Sequence, residues 1–290
     1  METRWLYTTS EEFEVLRDEA KGTCIIPMGC VEKHGLHLPL GTDILQASHI
    51  TYMASQMETV CVFPDFTFGD IAENTPTAPA GNVMMPVELE MQLLEQLCEQ
   101  ISRNGFKKIM IYNGHGGNVS WLSTFLRKMA NRERDYVVVN VNIKCDIMGR
   151  LARTLKDKGR EYFADLTEED ERLILERGEM KLKDGHCGYT ETSYIFGAYP
   201  ECVHMEKLGL ISGKSRNLTG AFKGAGIQIR DHGWGINFPD WMDSDDPVGC
   251  NERIGRAALQ IEAERLAYAI KVMKDDKHLL KWNREMWERK

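Results

Sequence analysis

Glu32, His34 and Asp43 share one short stretch, Gly29-Cys30-Val31-Glu32-Lys33-His34-Gly35-Leu36-His37-Leu38-Pro39-Leu40-Gly41-Thr42-Asp43. Glu32 and His34 are two apart, so on extended backbone both side chains project to the same side. Asp43 follows a glycine- and proline-containing loop long enough to fold back over them. Carboxylate together with imidazole suits a borderline transition metal, whereas calcium or magnesium would call for oxygen donors alone. A second stretch, Asn113-Gly114-His115-Gly116-Gly117-Asn118, sets one imidazole among glycines that leave a ligand room to approach the backbone. It could instead cradle a phosphate, but it lacks the Lys-Ser/Thr of a P-loop and the G-x-G-x-x-G spacing of a dinucleotide site. A third, Asp184-Gly185-His186-Cys187-Gly188-Tyr189-Thr190-Glu191-Thr192-Ser193, places His186 in a glycine-flanked loop and Glu191 in the first turn of an expected helix. A glutamate there can also serve simply as a partner of the helix dipole.

Other residues are weaker candidates. His37 is expected to orient its loop or touch substrate, and His49 to take a core or surface place within a helix. Asp70, Glu73 and Asn74 could line a pocket, and His232 and Trp234 could form a pocket wall or pack a subunit interface. Cys30 and Cys187 each lie beside a candidate segment.

The elements that must position these groups alternate. Thr9-Ser10-Glu11-Glu12 reads as a capping box opening a helix to about residue 20, and Thr23–Met28 reads as a buried strand. A helix is expected from about 43 to 57, a short strand at 60–63, and a long loop at 64–86. Val87, Met91, Leu94, Cys98 and Ile101 recur at helical spacing, so 87–104 is an amphipathic helix stopped by Gly105. Strands at 108–112 and 136–143 flank a helix at about 119–132. Strands separated by helices of this length pair in parallel through right-handed crossovers, which predicts a three-layer α/β/α domain with a mostly parallel central sheet. Ligands in such sheets gather at the carboxyl ends of strands, where the first two candidate stretches fall. The chain reads as one domain, 1–290. Residues 146–182, with Thr167-Glu168-Glu169-Asp170 as a helix start, read as an excursion or lid between sheet elements, and 250–290 as C-terminal helices.

Composition narrows the function. At 290 residues with 42% hydrophobic and 28% charged side chains, the chain can bury a sizeable core. A formal net charge of −8, with Lys and Arg interleaved among acids, argues against nucleic acid as a partner. No apolar run is long enough for a bilayer, and the first residues lack the basic-then-apolar order of a secretory signal. The eight cysteines form no C-x-x-C pair and are expected as free, mostly buried thiols of a cytoplasmic protein.

Together the three segments resemble the creatininase (creatinine amidohydrolase) family. The resemblance rests on Glu32-x-His34-Gly with Asp43 downstream, on Asn113-Gly114-His115, and on His186-x-Gly188-x-x-Glu191-Thr192-Ser193, and it spans roughly residues 5 to 270. It implies a four-stranded, mostly parallel sheet and a homohexamer. It also implies two divalent ions per subunit (Zn, Mn or Fe), with Asp43 bridging, Glu32 and His115 on one ion and His34 on the other. The chain departs from creatininase itself after His115. That enzyme has an aromatic residue and then a glutamate ligand, where Gly116 and Gly117 stand here. Glu191 is inferred to supply the missing carboxylate. Two divalent ions carry four positive charges, which Glu32, Asp43, Glu191 and a bridging hydroxide would cancel; an uncompensated charge in a cleft is costly. Without Glu191, a single tightly held metal is the better expectation.

The implied activity is metal-dependent hydrolysis. A metal-activated hydroxide attacks the carbonyl of a small cyclic or linear amide, and His186 shuttles a proton to the departing group. The alternatives are C–C hydrolysis of a cyclic polyhydroxy diketone, which some relatives appear to perform, and a non-catalytic metal-binding scaffold.

Overall fold

The computed structural model describes residues 1–71, 78–229 and 232–288. Its sheet contains β1 (Thr23–Met28), β2 (Cys61–Val62), β3 (Lys108–Asn113) and β4 (Val137–Asn142), in the order β2-β1-β3-β4. Every neighbouring pair is parallel, with Cys24 opposite Cys61, Thr23 opposite Lys108 and Lys108 opposite Val137. The two central strands, β1 and β3, are buried along their whole length, which is why their sequences run apolar instead of alternating.

Side-chain alternation divides the core in two. Ile25, Met110 and Tyr112 face one side, where α2 (Thr42–Met57), α5 (Ile147–Lys158), α7 (Tyr189–Ala198) and α10 (Glu252–Asp275) pack. Cys24, Ile26, Met28, Ile109 and Ile111 face the other, against α1 (Ser10–Glu19), α3 (Val87–Arg103) and α4 (Asn118–Ala130). This is the three-layer α/β/α arrangement the alternation predicts. Thr9 caps α1 through the expected box, its hydroxyl accepting from the Glu12 amide while Glu12 accepts from the Thr9 amide. Thr167 does the same with Asp170 at the start of α6 (Glu168–Glu179).

The segment 146–182 differs from its expectation. Among the described residues no strand follows β4, so it does not lie between sheet elements. Ile147, Met148, Leu151 and Leu155 of α5, and Ile174 of α6, are buried in the core shared with α7 and α10. Charged outer faces suggested an excursion or lid, while the inner apolar stripe holds the segment in the helical layer. The short helices α8 (Gly220–Gly224) and α9 (His232–Asn237) follow α7, and α11 (Leu279–Glu288) closes the described chain. Among the described residues no helix is long and apolar enough to cross a membrane. All eight cysteines are unpaired.

Candidate metal centre

The candidate residues converge at the carboxyl ends of β1 and β3. The loop after β1 carries Glu32 and His34, the first turn of α2 carries Asp43, and the loop after β3 carries His115. The start of α2 presses against the end of β1. A Cβ on Gly29 would lie 2.4 Å from the Ile44 nitrogen, so only glycine admits this approach and brings Asp43 beside Glu32. The turn before α7 brings His186, and the first turn of α7 brings Glu191.

Asp43 stands between two groups of donors. Its Oδ2 is 2.8 Å from His115 Nδ1, which is 3.2 Å from Glu32 Oε1. Its Oδ1 is 3.5 Å from His34 Nε2, which is 3.6 Å from Glu191 Oε2. His186 Nδ1 lies 3.7 Å from Glu32 Oε1, and its ring is tilted against that of His34 with centroids 4.1 Å apart. Cys30, Glu32, Asp43 and His115 form one group whose donor atoms all lie within 4.8 Å of one another, and His34, Asp43 and Glu191 form another. Glu32, His34 and Asp43 are each at most 2% exposed.

Backbone carbonyls hold the three imidazoles in place. His34 Nδ1 meets the Glu32 carbonyl at 3.0 Å, His115 Nε2 the Asp70 carbonyl at 2.8 Å, and His186 Nε2 the Lys33 carbonyl at 2.8 Å. Each neutral ring must donate a proton to its carbonyl, which leaves the opposite nitrogen as a lone pair facing the carboxylates. Lone pairs aimed at carboxylate oxygens repel unless a cation stands between them. Glu32 Oε1 and His34 Nε2 are buried without a hydrogen-bond partner. A divalent ion would satisfy both, so the donor set fits a transition metal.

In the metal-free chain, protons stand where cations would. Burial opposes a charged His34, yet Asp43 and Glu191 overcome it and push its pKa up to about 10. His115 is also raised despite burial, by Cys30, Glu32 and Asp43. Burial disfavours the Asp43 carboxylate, but His34 and His115 hold it well below the usual range. Glu191 is pushed up to about 8, first by burial and further by Asp43, with His34 opposing. His186 is held down to about 4 by burial and by the charge of His34.

Beside these donors lies a cavity of about 500 Å³, lined by the His115–Gly117 turn, His186, Glu191, Val119, Ile143, Ile229 and Trp234, among others. No Lys or Arg lines it among the described residues. Trp234 stands edge-on to His186 at 5.3 Å and donates its indole N–H to Asp243. His37 is not part of the wall. Its Nε2 meets the Thr192 hydroxyl at 3.0 Å and ties the loop to α7, a loop-orienting contact in place of a substrate one. His49 is partly buried on α2, edge-on to Tyr199. Asp70 reaches the site through its carbonyl, whereas Glu73 and Asn74 fall outside the described residues.

The two glycines after His115 differ from each other. A Cβ on Gly117 would sit 2.1 Å from the Asp70 carbonyl oxygen and 2.5 Å from His115 Nε2, so no side chain can project there. A Cβ on Gly116 would meet nothing within 4 Å. Sequence reading missed Gln46, whose amide donates to Asp43 Oδ1 at 3.4 Å and to the Gly114 carbonyl at 3.1 Å. Its position three residues after Asp43 on a helix was the available signal. Sequence reading named Asn113 in the motif without a role; its side chain accepts from the His115 amide and donates to the His115 carbonyl.

The family model described as creatinine amidohydrolase matches residues 7–270. The chain belongs to the creatininase family. Among solved structures, a protein provisionally assigned as a creatinine amidohydrolase from Bacteroides fragilis superposes with a TM-score of 0.69 at 20% identity, covering 96% of this chain and 99% of the other. A creatininase described as Zn-Zn type gives 0.66 at 14%, and one described as a manganese form gives 0.65 at 15%; each comparison covers 95% of this chain and all of the other. Among curated relatives, the mycofactocin precursor peptide peptidase of Mycolicibacterium smegmatis is 28% identical over 120 residues, 38% of this chain and 46% of that protein. Its counterpart from Mycobacterium ulcerans is 31% identical over 121 residues, covering 38% and 47%. The chain thus matches about half the length of these two relatives. It is a creatininase-family chain with a cluster of residues able to hold metal.

Proposed function

We propose that this chain hydrolyses an amide bond of a small molecule with two divalent ions. Asp43 would bridge them, with Glu32 and His115 holding one and His34 and Glu191 the other. The observation that carries the reading is the set of imidazole nitrogens turned toward the buried Glu32 and Asp43 and the partly buried Glu191, with Glu32 Oε1 and His34 Nε2 lacking a hydrogen bond. Divalent ions held there would supply Lewis-acid polarisation of a carbonyl and a water that ionises near neutrality.

The chain's own residues do the rest. Glu191 replaces the carboxylate that cannot project from position 117, where the Asp70 carbonyl fills the space. His186 faces the cavity between Glu32 and Trp234, with its Nε2 fixed on the Lys33 carbonyl. Its Nδ1 is therefore the atom that takes a proton and delivers it to the leaving nitrogen. Val119, Ile143, Ile229 and Trp234 offer an apolar wall to the substrate. The cytoplasm, with free thiols, and a homohexamer by family likeness complete the proposal.

A substrate screen of lactams, formamides, short peptides and cyclic polyhydroxy ketones, with and without added metal, tests the reading. Metal-dependent turnover of an amide supports it. Turnover confined to the ketones would replace amide with C–C hydrolysis, and binding of metal without any turnover would favour the scaffold.

A further inference from the structure

We propose that the Cys30 sulfur is a fourth protein donor to the ion held by Glu32, Asp43 and His115. The proposal rests on the metal-centre reading above and adds to it a ligand of a different chemical kind.

Cys30 differs from the other buried cysteines in what surrounds it. Cys24, Cys61 and Cys98 pack in one apolar cluster, Cys250 in the opposite one, and Cys187 in a third. Cys30 is fully buried yet belongs to none of these clusters. Its Sγ instead lies 3.1 Å from Asp43 Oδ2, the same oxygen that His115 Nδ1 approaches at 2.8 Å. Metal–ligand bonds of about 2.0 to 2.3 Å place donors around one tetrahedral ion roughly 3 to 4 Å apart. The Cys30, Glu32, Asp43 and His115 donor atoms, all within 4.8 Å of one another, are compatible with that spacing. Glu32 Oε1, buried and without a hydrogen-bond partner, belongs to the same group and calls for a cation there. A thiol that merely donated to Asp43 would account for one contact and leave Glu32 Oε1 without a hydrogen bond.

On binding, the S–H bond breaks, its proton leaves to solvent, and a sulfur–metal bond forms. A soft thiolate favours zinc or ferrous iron over manganese, so this position would be the more selective of the two. Four protein donors also fill the shell zinc prefers, which leaves the position at His34, Asp43 and Glu191 as the one with room for other ligands.

The test uses the full chain loaded with zinc, and separately with cobalt, after its metal content has been measured. X-ray absorption at the zinc edge should show a sulfur neighbour at about 2.3 Å. The cobalt protein should show thiolate-to-metal charge-transfer absorption. Both signals should vanish in Cys30→Ser and persist in Cys187→Ser. Zinc affinity in Cys30→Ser should fall by about tenfold or more relative to manganese. Loaded wild-type protein without a sulfur neighbour would overturn the proposal while leaving the metal centre standing. So would a sulfur signal that survives in Cys30→Ser. A folded chain that takes up no ion would overturn both, and the metal measurement alone reveals that outcome.

Discussion

Two polar clusters in this molecule are each built around a buried glutamate and end in opposite states. Glu262 on α10 is fully buried, and its two oxygens receive hydrogen bonds from the Tyr112 hydroxyl, Arg150 and Arg265. Both oxygens of that carboxylate find their partners inside the chain. Glu32, His34, Asp43 and His115 are buried and Glu191 is partly buried, but their donor atoms turn on one another and leave Glu32 Oε1 and His34 Nε2 without a hydrogen bond. A self-satisfied cluster stabilises a fold. A cluster that its own chain cannot satisfy is built for something that arrives later.

Substitutions should separate the two. His115→Ala should reduce turnover at least about a thousandfold, about 4 kcal/mol of transition-state stabilisation, and lower bound metal while circular dichroism stays unchanged. Full activity in that variant would remove the core of the assignment. Glu262→Gln should do the reverse. Losing one partner of a buried charged cluster costs about 3–5 kcal/mol of stability, readable in denaturant unfolding, while metal content per folded chain stays the same.

Glu191→Gln sharpens the contrast within the centre. The Glu191 carboxyl is pushed up to about 8 by burial and Asp43, which favours its neutral form in the metal-free chain. A neutral isostere should therefore change metal-free stability by no more than about 0.5 kcal/mol while one of two ions is lost. Unchanged metal content would show that Glu191 is only a partner of the α7 dipole.

The pH dependence follows from the same groups. A pKa higher in the folded chain than in the unfolded one stabilises the fold below the unfolded value, and that support is lost as pH rises through the folded value. Glu191, raised to about 8, and His34, raised to about 10 by Asp43 and Glu191 against its burial, both behave this way. His37 and His186, held down to about 4, lose their contribution only as pH falls below 6.5. Metal-free stability should thus decline from pH 6.5 to about 8, while metal affinity rises because the ligands must shed protons. The melting-temperature gap between loaded and metal-free protein should widen over that range; a narrowing gap would contradict the cluster's electrostatics.

The smallest effects concern the glycine pair. Gly116→Ala should leave stability within about 0.5 kcal/mol and alter only KM, since its Cβ meets open cavity. Gly117→Ala should cost about 1–3 kcal/mol and weaken metal binding, because its Cβ collides with the Asp70 carbonyl and the His115 ring. Equal behaviour of the two variants would mean that the turn relaxes freely.

Much of this was legible in the chain because the signals are local. Strand and helix periods, the Thr9 and Thr167 caps and the donor-rich loops all lie within a few residues of the chemistry they announce. Contacts made across the fold were less legible. The carbonyls of Asp70 and Lys33 that orient His115 and His186 carry no side-chain signature. Trp241 accepts from the Gly35 amide and the Cys187 thiol far along the chain, a closure set by packing. The 146–182 segment misled because its charged residues dominate the composition, while the few apolar ones on α5 and α6 decide where it sits.

The most direct test of the central claim is the metal content of the folded chain after exposure to zinc or manganese and removal of the unbound excess. The account predicts two ions per chain for wild type, one for Glu191→Gln and fewer than one for His115→Ala. A folded wild-type chain that retains none would contradict it.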